Sequence, residues 1–372
     1  MSKMYSPQSR VYDNNNMPLV SVVITGKNVV ATIDHCIKSL FDQSYPNFEI
    51  IYVDGKSSDG TYGKAIELKN YNSEHFRNCK RFLTISADTA NSPAKGRNFG
   101  AKVANGSILA FIDADCVAQE NWLLNLVRWI PRDSGIAGGP NLPKHFIRTS
   151  VTDAIDNVLG TYLGCGGSPQ FLQIRKLSEV YAVPACNLGI SKSLFEEVGG
   201  FDETLTYNED SDLCNRIRAR GDKIIYNPEA KVGHYNRTDS YLDFAGLINK
   251  YGIERGKNVI YNSGLFTHFN GLSIASFIVF LSLLGASFII EVAVTILIGL
   301  VGIFLTTIII ASIKSASKNE SKPVISCLYR LGIYLTIYFT YNLGFISGWL
   351  TSFFGIRKNT PLQSVSMVER TK

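Results

Sequence analysis

Residues Phe111-Ile112-Asp113-Ala114-Asp115-Cys116 place two carboxylates two positions apart directly after an apolar run, so both can turn toward one bound cation. Mg2+ or Mn2+ held by so few protein oxygens keeps coordination positions open for phosphate oxygens, which is what a nucleotide diphosphate requires. Another carboxylate, Asp54, closes an earlier apolar run. There it can accept from a uracil or guanine N–H, or cap a turn with Ser57. Lys95 and Arg97 open a helix-like segment, where phosphate would meet side-chain charge and a helix N-terminus together; solvated surface charge is the other use of such residues. Glu209 and Asp210 follow Asn208 at the start of a further helical segment, a position that favours carboxylates through the helix dipole alone. The seven cysteines include no Cys-x-x-Cys pair, which argues against a zinc ribbon or a disulfide framework and for reduced, mostly buried thiols.

Such residues need a scaffold that gathers strand ends. Residues 19–25 are a short β-branched run without helical alternation, which predicts a fully buried parallel strand. The polar turn Gly26-Lys27-Asn28 follows, then apolar residues at helical spacing over 30–41, then a second strand over 48–53 closing on Asp54. This βαβ alternation recurs with a strand at 82–85, a helix at 94–103 and a strand at 108–112 ending on Asp113. In open parallel α/β sheets ligands collect beyond the carboxyl ends of strands, where Thr25, Asp54 and Asp113 all fall. Beyond residue 130 the pattern loosens into glycine-paired loops. A strand at 188–190, helices at 193–198 and 208–220 and a strand at 224–226 come next. Residues 239–257 carry Tyr241, Phe244, Ile248 and Tyr251 on one helical face with Lys250, Arg255 and Lys257 nearby. They read as a helix packed on the domain or as an interfacial helix leading into a membrane.

Only 18% of the 372 residues are charged, below the ~25% of typical soluble domains, so part of the chain does not face water. The net charge of +6 is spread without blocks, which argues against a nucleic-acid surface and suits an anionic substrate or lipid headgroups. Residues 1–17 are polar and lack the apolar stretch of a secretory signal. From 272 to 313 the only charge is Glu291, and at ~1.5 Å per residue this run is about twice what a ~30 Å hydrocarbon core needs. A third apolar run holds Arg330 near its start and Tyr334, Tyr338, Tyr341 and Trp349, residues suited to interfacial levels. Three spans are therefore expected, at 272–290, 292–313 and 324–350. Lys314, Lys318 and Lys322 place the N-terminal domain in the cytoplasm by the positive-inside rule. Three full crossings would put Arg357 and Lys358 outside, against the same rule, unless the last run is re-entrant or interfacial. The expected division is a polar extension over 1–17, an α/β domain over 18–238, a helical linker over 239–270, a transmembrane region over 271–356 and a polar tail over 357–372.

Residues 20–28, Val53-Asp54-Gly55-Lys56-Ser57-Ser58-Asp59-Gly60-Thr61, Gly96-Arg97-Asn98-x-Gly100, Asp113-Ala114-Asp115, Gly199-Gly200-Phe201-Asp202, Glu209-Asp210-x-Asp212-Leu213 and Pro228-x-Ala230-x-Val232-x-His234 stand in that order. Together they resemble the motifs of family-2-type inverting glycosyltransferases of the GT-A fold, over about residues 18–257. The resemblance implies a Rossmann-like α/β domain with a mostly parallel sheet, a UDP- or GDP-linked sugar donor, a divalent cation (Mg2+ or Mn2+) and inversion at the anomeric carbon. Two positions depart from the family pattern. Thr25-Gly26-Lys27-Asn28 stands where Pro-x-Tyr-Asn is commoner, and Gly55 where many members carry a second Asp. The Gln-x-x-Arg-Trp motif of processive members is absent.

By this resemblance the triplet Asp113-Ala114-Asp115 meets cation and diphosphate, with His234 as a third metal ligand. Thr25, Gly26, Lys27, Asn28, Asp54 and Ser57 would receive base and ribose, and Lys95, Arg97 and Asn98 the rest of the nucleotide. Cys186 and Asn187 would line the sugar or acceptor pocket, and the glycine-rich stretch 162–170 would form an acceptor loop. Asp210 would remove the acceptor proton with Glu209 orienting it, while Asp212 is structural. Membrane anchoring beside a cytoplasmic site points to a lipid-linked or membrane-associated acceptor. A polyprenyl phosphate is already anionic and needs little general-base help, whereas a sugar hydroxyl does need a base. The Glu209-Asp210 pair therefore favours a hydroxyl of a lipid-linked saccharide over the bare lipid carrier. The intact carboxylates argue against a non-catalytic nucleotide-sugar-binding scaffold.

Overall fold

The computed structural model describes residues 17–71, 78–130, 135–172, 174–235, 240–259, 267–316 and 323–355. The nearly complete N-terminal extension, Lys318, Lys322 and the tail with Arg357 and Lys358 lie outside the described residues.

Strands β1 (Val20–Gly26), β2 (Phe48–Asp54), β3 (Cys79–Ser86) and β4 (Ile108–Asp113) pair in parallel in the order β3-β2-β1-β4. Helices α1 (Ile33–Phe41), α2 (Thr61–Tyr71) and α3 (Pro93–Val103) connect them. Every residue of β2 is buried, which is why it reads as a continuous apolar run with Glu49 as an exception. That carboxylate is satisfied by Ser21 and by Arg81. Helix α3 starts where Ser92 caps the Lys95 N–H and Pro93 takes the first helical turn. Its Gly100 lies so close to β1 that a Cβ would stand 2.4 Å from Val23, so the helix can approach the sheet only with glycine there.

The chain continues through β5 (Cys116–Ala118), α4 (Trp122–Val127), β6 (Ile136–Gly138), β7 (Asn141–Lys144), α5 (Ser150–Leu159), α6 (Tyr162–Cys165), β8 (Ser178–Glu179), β9 (Leu188–Ser191), α7 (Lys192–Glu197), α8 (Glu209–Ala219), β10 (Ile224–Tyr226) and β11 (Val232–Tyr235). The large sheet has eight strands in the order β3-β2-β1-β4-β9-β6-β10-β8, with β9 antiparallel to both β4 and β6. A small sheet, β5-β11-β7, lies just past the end of β4. Register sets Thr25 opposite Asp113 and Gly26 opposite Asp54, so the polar strand ends meet at one edge. Residues 150–159, read from sequence as part of a loop region, are helical: Thr149 forms a capping box with Thr152, and Ala154, Ile155 and Val158 are buried.

Four further helices follow: α9 (Tyr241–Val259), α10 (His268–Ala286), α11 (Glu291–Lys314) and α12 (Pro323–Phe353). The last three are long and apolar enough to cross a membrane. A core shared by α5, α9, α11 and α12, with Ile155, Phe244, Ile308 and Tyr334 among its members, joins them to the α/β domain. Helices α9 and α12 touch through glycines on both sides. A Cβ at Gly252, Gly256, Gly344 or Gly348 would stand 2.0–2.4 Å from a backbone oxygen of the opposite helix.

Candidate active site

Asp113 ends β4, and Asp115 opens the turn into β5, where the pairing of Cys116 with His234 carries the imidazole of β11 to the same place. The His234 Nε2 lies 3.4 Å from the Asp115 carboxylate. Donor atoms of Asp113, Asp115 and His234 lie within 4.8 Å of one another. Two hard carboxylates and one imidazole fit Mn2+ or Mg2+. Burial pulls the His234 pKa down, but the hydrogen bond and charge of Asp115 outweigh it and push it up to about 10. In the metal-free protein an imidazolium thus supplies the positive charge that the carboxylates demand. Cys116 and Cys186 also approach His234. Burial holds the Cys116 thiol well above its ordinary pKa, so it stays neutral.

The β1 and β2 ends form a clasp. The Asn28 N–H donates to Ser57 Oγ (2.9 Å), the Ser58 N–H to Asn28 Oδ1 (2.9 Å) and the Gly55 N–H to the Gly26 carbonyl (3.0 Å). Asn28 adopts φ 54°, a left-handed conformation that asparagine tolerates. Gly26 is required by close packing, since a Cβ would stand 2.7 Å from that of Ala114. Thr25 Oγ1 points at Asp113 (3.5 Å), and Lys27 and Asn28 form the exposed rim.

Several residues expected from sequence to contact the nucleotide are also held by partners within the chain. Asp54 is 1% exposed and accepts four hydrogen bonds, from Tyr52, Ser86 and twice from Ser57, so it holds the turn. Ala114 is buried, with its N–H bonded to the Thr25 carbonyl. Arg97 is not a solvated surface charge. It is 3% exposed and bridges Asp113 (2.6 Å) to Glu209 (2.8 Å), two charges that outweigh burial and hold its pKa high. Lys95, two residues away on the same helix, bonds Asn91 instead. Asn98 closes the glycine turn through the N–H and carbonyl of Phe201. Asn187 is fully buried, accepting from Trp122 and donating to the Pro140 and Ala230 carbonyls, so it fastens β9 to the core while its neighbour Cys186 faces the cavity.

Helix α8 presents Glu209 and Asp210 in its first turn, with Asn208 in the left-handed conformation (φ 66°) turning them toward Asp113 through Arg97. Burial, reinforced by Asp210, raises the Glu209 pKa against the pull of Arg97. Asp212 binds Arg216, whose other nitrogens hold the Val198 and Gly200 carbonyls. Asp113, Asp115, His234 and Asp210 open into one cavity of about 1320 Å³. It continues past the 164–170 segment and Tyr251 to Tyr334, Tyr338 and Tyr341 of α12 and Ser273 of α10. Tyr251 was not singled out from sequence as a site residue; its phenol pKa is raised by burial and by Asp210.

A parallel half-sheet ending in a carboxylate pair, continued by an antiparallel half, defines a GT-A-type α/β protein. The solved structure of the mannosyltransferase PcManGT from Pyrobaculum calidifontis in complex with GDP-Man and Mn2+ shares this fold, with a TM-score of 0.55 and 15% identity over 94% of this chain and 90% of that one. The model described as Glycosyl transferase family 2 matches residues 21–199. The chain is 32% identical over 256 residues to the UDP-Glc:alpha-D-GlcNAc-diphosphoundecaprenol beta-1,3-glucosyltransferase WfaP of Escherichia coli, covering 66% of this chain and 91% of that protein. It belongs to glycosyl transferase family 2. A pre-mycofactocin glycosyltransferase of Mycobacterium tuberculosis is 30% identical over 155 residues, 39% of this chain and only 30% of that relative's length.

Proposed function

We propose that the protein is a membrane-anchored glycosyltransferase whose catalytic domain faces the cytoplasm and which moves a sugar, with inversion, from a UDP- or GDP-linked donor to a hydroxyl of a lipid-linked saccharide. The observation that carries this reading is the single cavity that reaches from Asp113, Asp115 and Asp210 to the tyrosines of α12. Two names support it: WfaP acts, by its description, on a diphosphoundecaprenol-linked sugar, and PcManGT was solved with GDP-Man and Mn2+.

Asp113, Asp115 and His234 would hold Mn2+ or Mg2+, which neutralises charge on the departing diphosphate. Arg97 keeps Asp113 and Glu209 in place, and the clasp of Thr25 to Asn28 with Ser57 shapes the entrance for base and ribose. Asp210 accepts the acceptor hydroxyl proton as that oxygen bonds the anomeric carbon and the bond to the β-phosphate oxygen breaks. Purified protein in lipid nanodiscs, given labelled UDP- and GDP-sugars with Mn2+, Mg2+ or EDTA, tests the reading. One sugar added to a lipid-diphosphate saccharide, only with metal, is expected. Transfer to bare polyprenyl phosphate in preference to the saccharide would replace the acceptor class, and no transfer from any donor would remove the reading.

A further inference from the structure

We propose that α12 does not cross the bilayer: α9 and α12 lie side by side in the headgroup zone of the leaflet that faces the catalytic domain, and only α10 and α11 cross. Tyr241 bonds Gly332 and Thr336, Gly252 meets Tyr341, Gly344 meets Asn249, Gly348 meets Ile253, and Ser352 donates to the Lys257 carbonyl. Residue numbers rise together in both helices, so they run parallel, in contact over about 24 Å of α9 at ~1.5 Å per residue. Whatever depth one occupies, the other shares.

Helix α9 contains Asp243, Lys250, Glu254, Arg255 and Lys257. Lys250 is exposed, and Glu254 and Lys257 pair with each other at 2.8 Å. A charged residue at the centre of a hydrocarbon core costs at least about 2.5 kcal/mol on insertion scales, so α9 does not traverse one, and α12 is held beside it. The soluble domain makes the same demand from another side. Thr161 hydrogen-bonds Tyr334, and Ile155 of α5, a helix carrying Asp153 and Asp156, shares a core with Ile333.

The other two helices also pack on α12. Residues Asn270, Ser273, Ser276, Phe277 and Phe280 of α10 all contact α12 between Tyr338 and Asn342. Eleven residues of one helix against five of the other describe a steep crossing. Helix α11 touches α12 through Phe304 and Ser312, in its second half. Around the turn between α10 and α11, Phe288, Ile289 and Val292 are 66–87% exposed, as lipid-facing residues of a protruding hairpin must be. On the layer itself Leu343, Trp349, Leu350, Phe353 and Phe354 are exposed, an apolar and aromatic face of the kind that settles at the interface. Two crossings also return Arg357 and Lys358 to the side of Lys314, which removes the conflict with the positive-inside rule.

The packing of these helices does not depend on the sugar chemistry, and the two are tested separately. The full-length chain is expressed in bacteria with one epitope tag at each terminus, and proteolysis of intact spheroplasts is compared with that of inverted membrane vesicles. Both tags should be cut from the same face, in the inverted vesicles. C-terminal fusions should agree, with green fluorescent protein bright and alkaline phosphatase inactive, while phosphatase inserted at residues 288–290 should be active. Tags cut from opposite faces, or an active C-terminal phosphatase, would establish a third crossing and overturn the proposal.

Discussion

Arg97 is where the two halves of the site converge, because its guanidinium bridges the Asp113 end of the large sheet and the Glu209 start of α8. Replacing it with methionine keeps the volume but strands two carboxylates, and breaking a buried ion pair costs about 3–5 kcal/mol. Thermal unfolding of Arg97→Met should therefore begin several degrees lower, with Arg97→Lys restoring little because one ammonium cannot serve two carboxylates in that geometry; an unshifted transition would contradict the bridging role. Under the proposed function, Asp210 has a different task. Asp210→Asn should bind donor nucleotide as the parent does while turnover falls about 10²- to 10⁴-fold, and titration calorimetry beside a transfer assay separates the two effects. His234 supplies a pH dependence. Its pKa of about 10 in the metal-free protein means that a proton occupies the imidazole at neutral pH and must leave when a metal is bound. Apparent Mn2+ affinity should rise with pH, by up to ~10-fold per unit from about pH 7 toward 10, and flatten above that. Mn2+ titrations followed by electron paramagnetic resonance would show this slope, and His234→Gln should abolish it.

At the scale of elements, the glycine seam joins the chemistry to the membrane region. A leucine at Gly348 would drive a side chain into the Ile253 carbonyl, where even a Cβ would stand 2.0 Å away, and overpacking of this kind costs about 1–3 kcal/mol or more. Gly348→Leu should leave the chain in the membrane through α10 and α11 yet increase hydrogen exchange along α9 and reduce transfer to a lipid acceptor. Unchanged exchange in α9 would show that the seam does not hold the helices together. The sequence reveals elements in proportion to their length and pattern. Strands β1, β2 and β4 are legible because fully buried strands read as β-branched runs, and the polar residues at their carboxyl ends, Thr25, Asp54 and Asp113, mark the site. Strands of two to four residues, such as β5, β6 and β8, are too short to show a period. Helix α5 did leave a signal, in its Thr149 cap and its apolar spacing at 151, 154, 155 and 158, but glycine-rich surroundings obscured it. The tasks of Asn98 and Asn187 were not legible, since their partners Phe201 and Trp122 lie 103 and 65 positions away. Asp54 illustrates the same limit. Its place at a strand end is legible in sequence, whereas Ser86, which completes its four donors, is brought in by β3.

For the whole molecule, one cavity spans two environments: carboxylates and histidine at one end, tyrosines and serines of α12 and α10 at the other. Under the proposed function, this layout separates two contributions of a lipid-linked acceptor. Its sugar hydroxyl must reach Asp210, which is a matter of positioning in the transition state. Its hydrocarbon chain stays in the bilayer and contributes only by concentrating the acceptor where the cavity opens. Each methylene moved into lipid is worth ~0.8 kcal/mol, so the chain acts on binding and not on the chemical step. Under the proposed function, shortening the lipid of a diphosphate-linked saccharide from a polyprenyl chain to a short alkyl chain should raise KM strongly, while kcat for the nanodisc-embedded protein stays within a few fold. The pattern follows because uniform binding energy lowers KM without accelerating the reaction. Steady-state kinetics over a series of chain lengths would measure it. A kcat that falls in step with chain length would mean that the lipid itself positions the reacting hydroxyl, and the division of labour between Asp210 and the membrane end of the cavity would have to be redrawn.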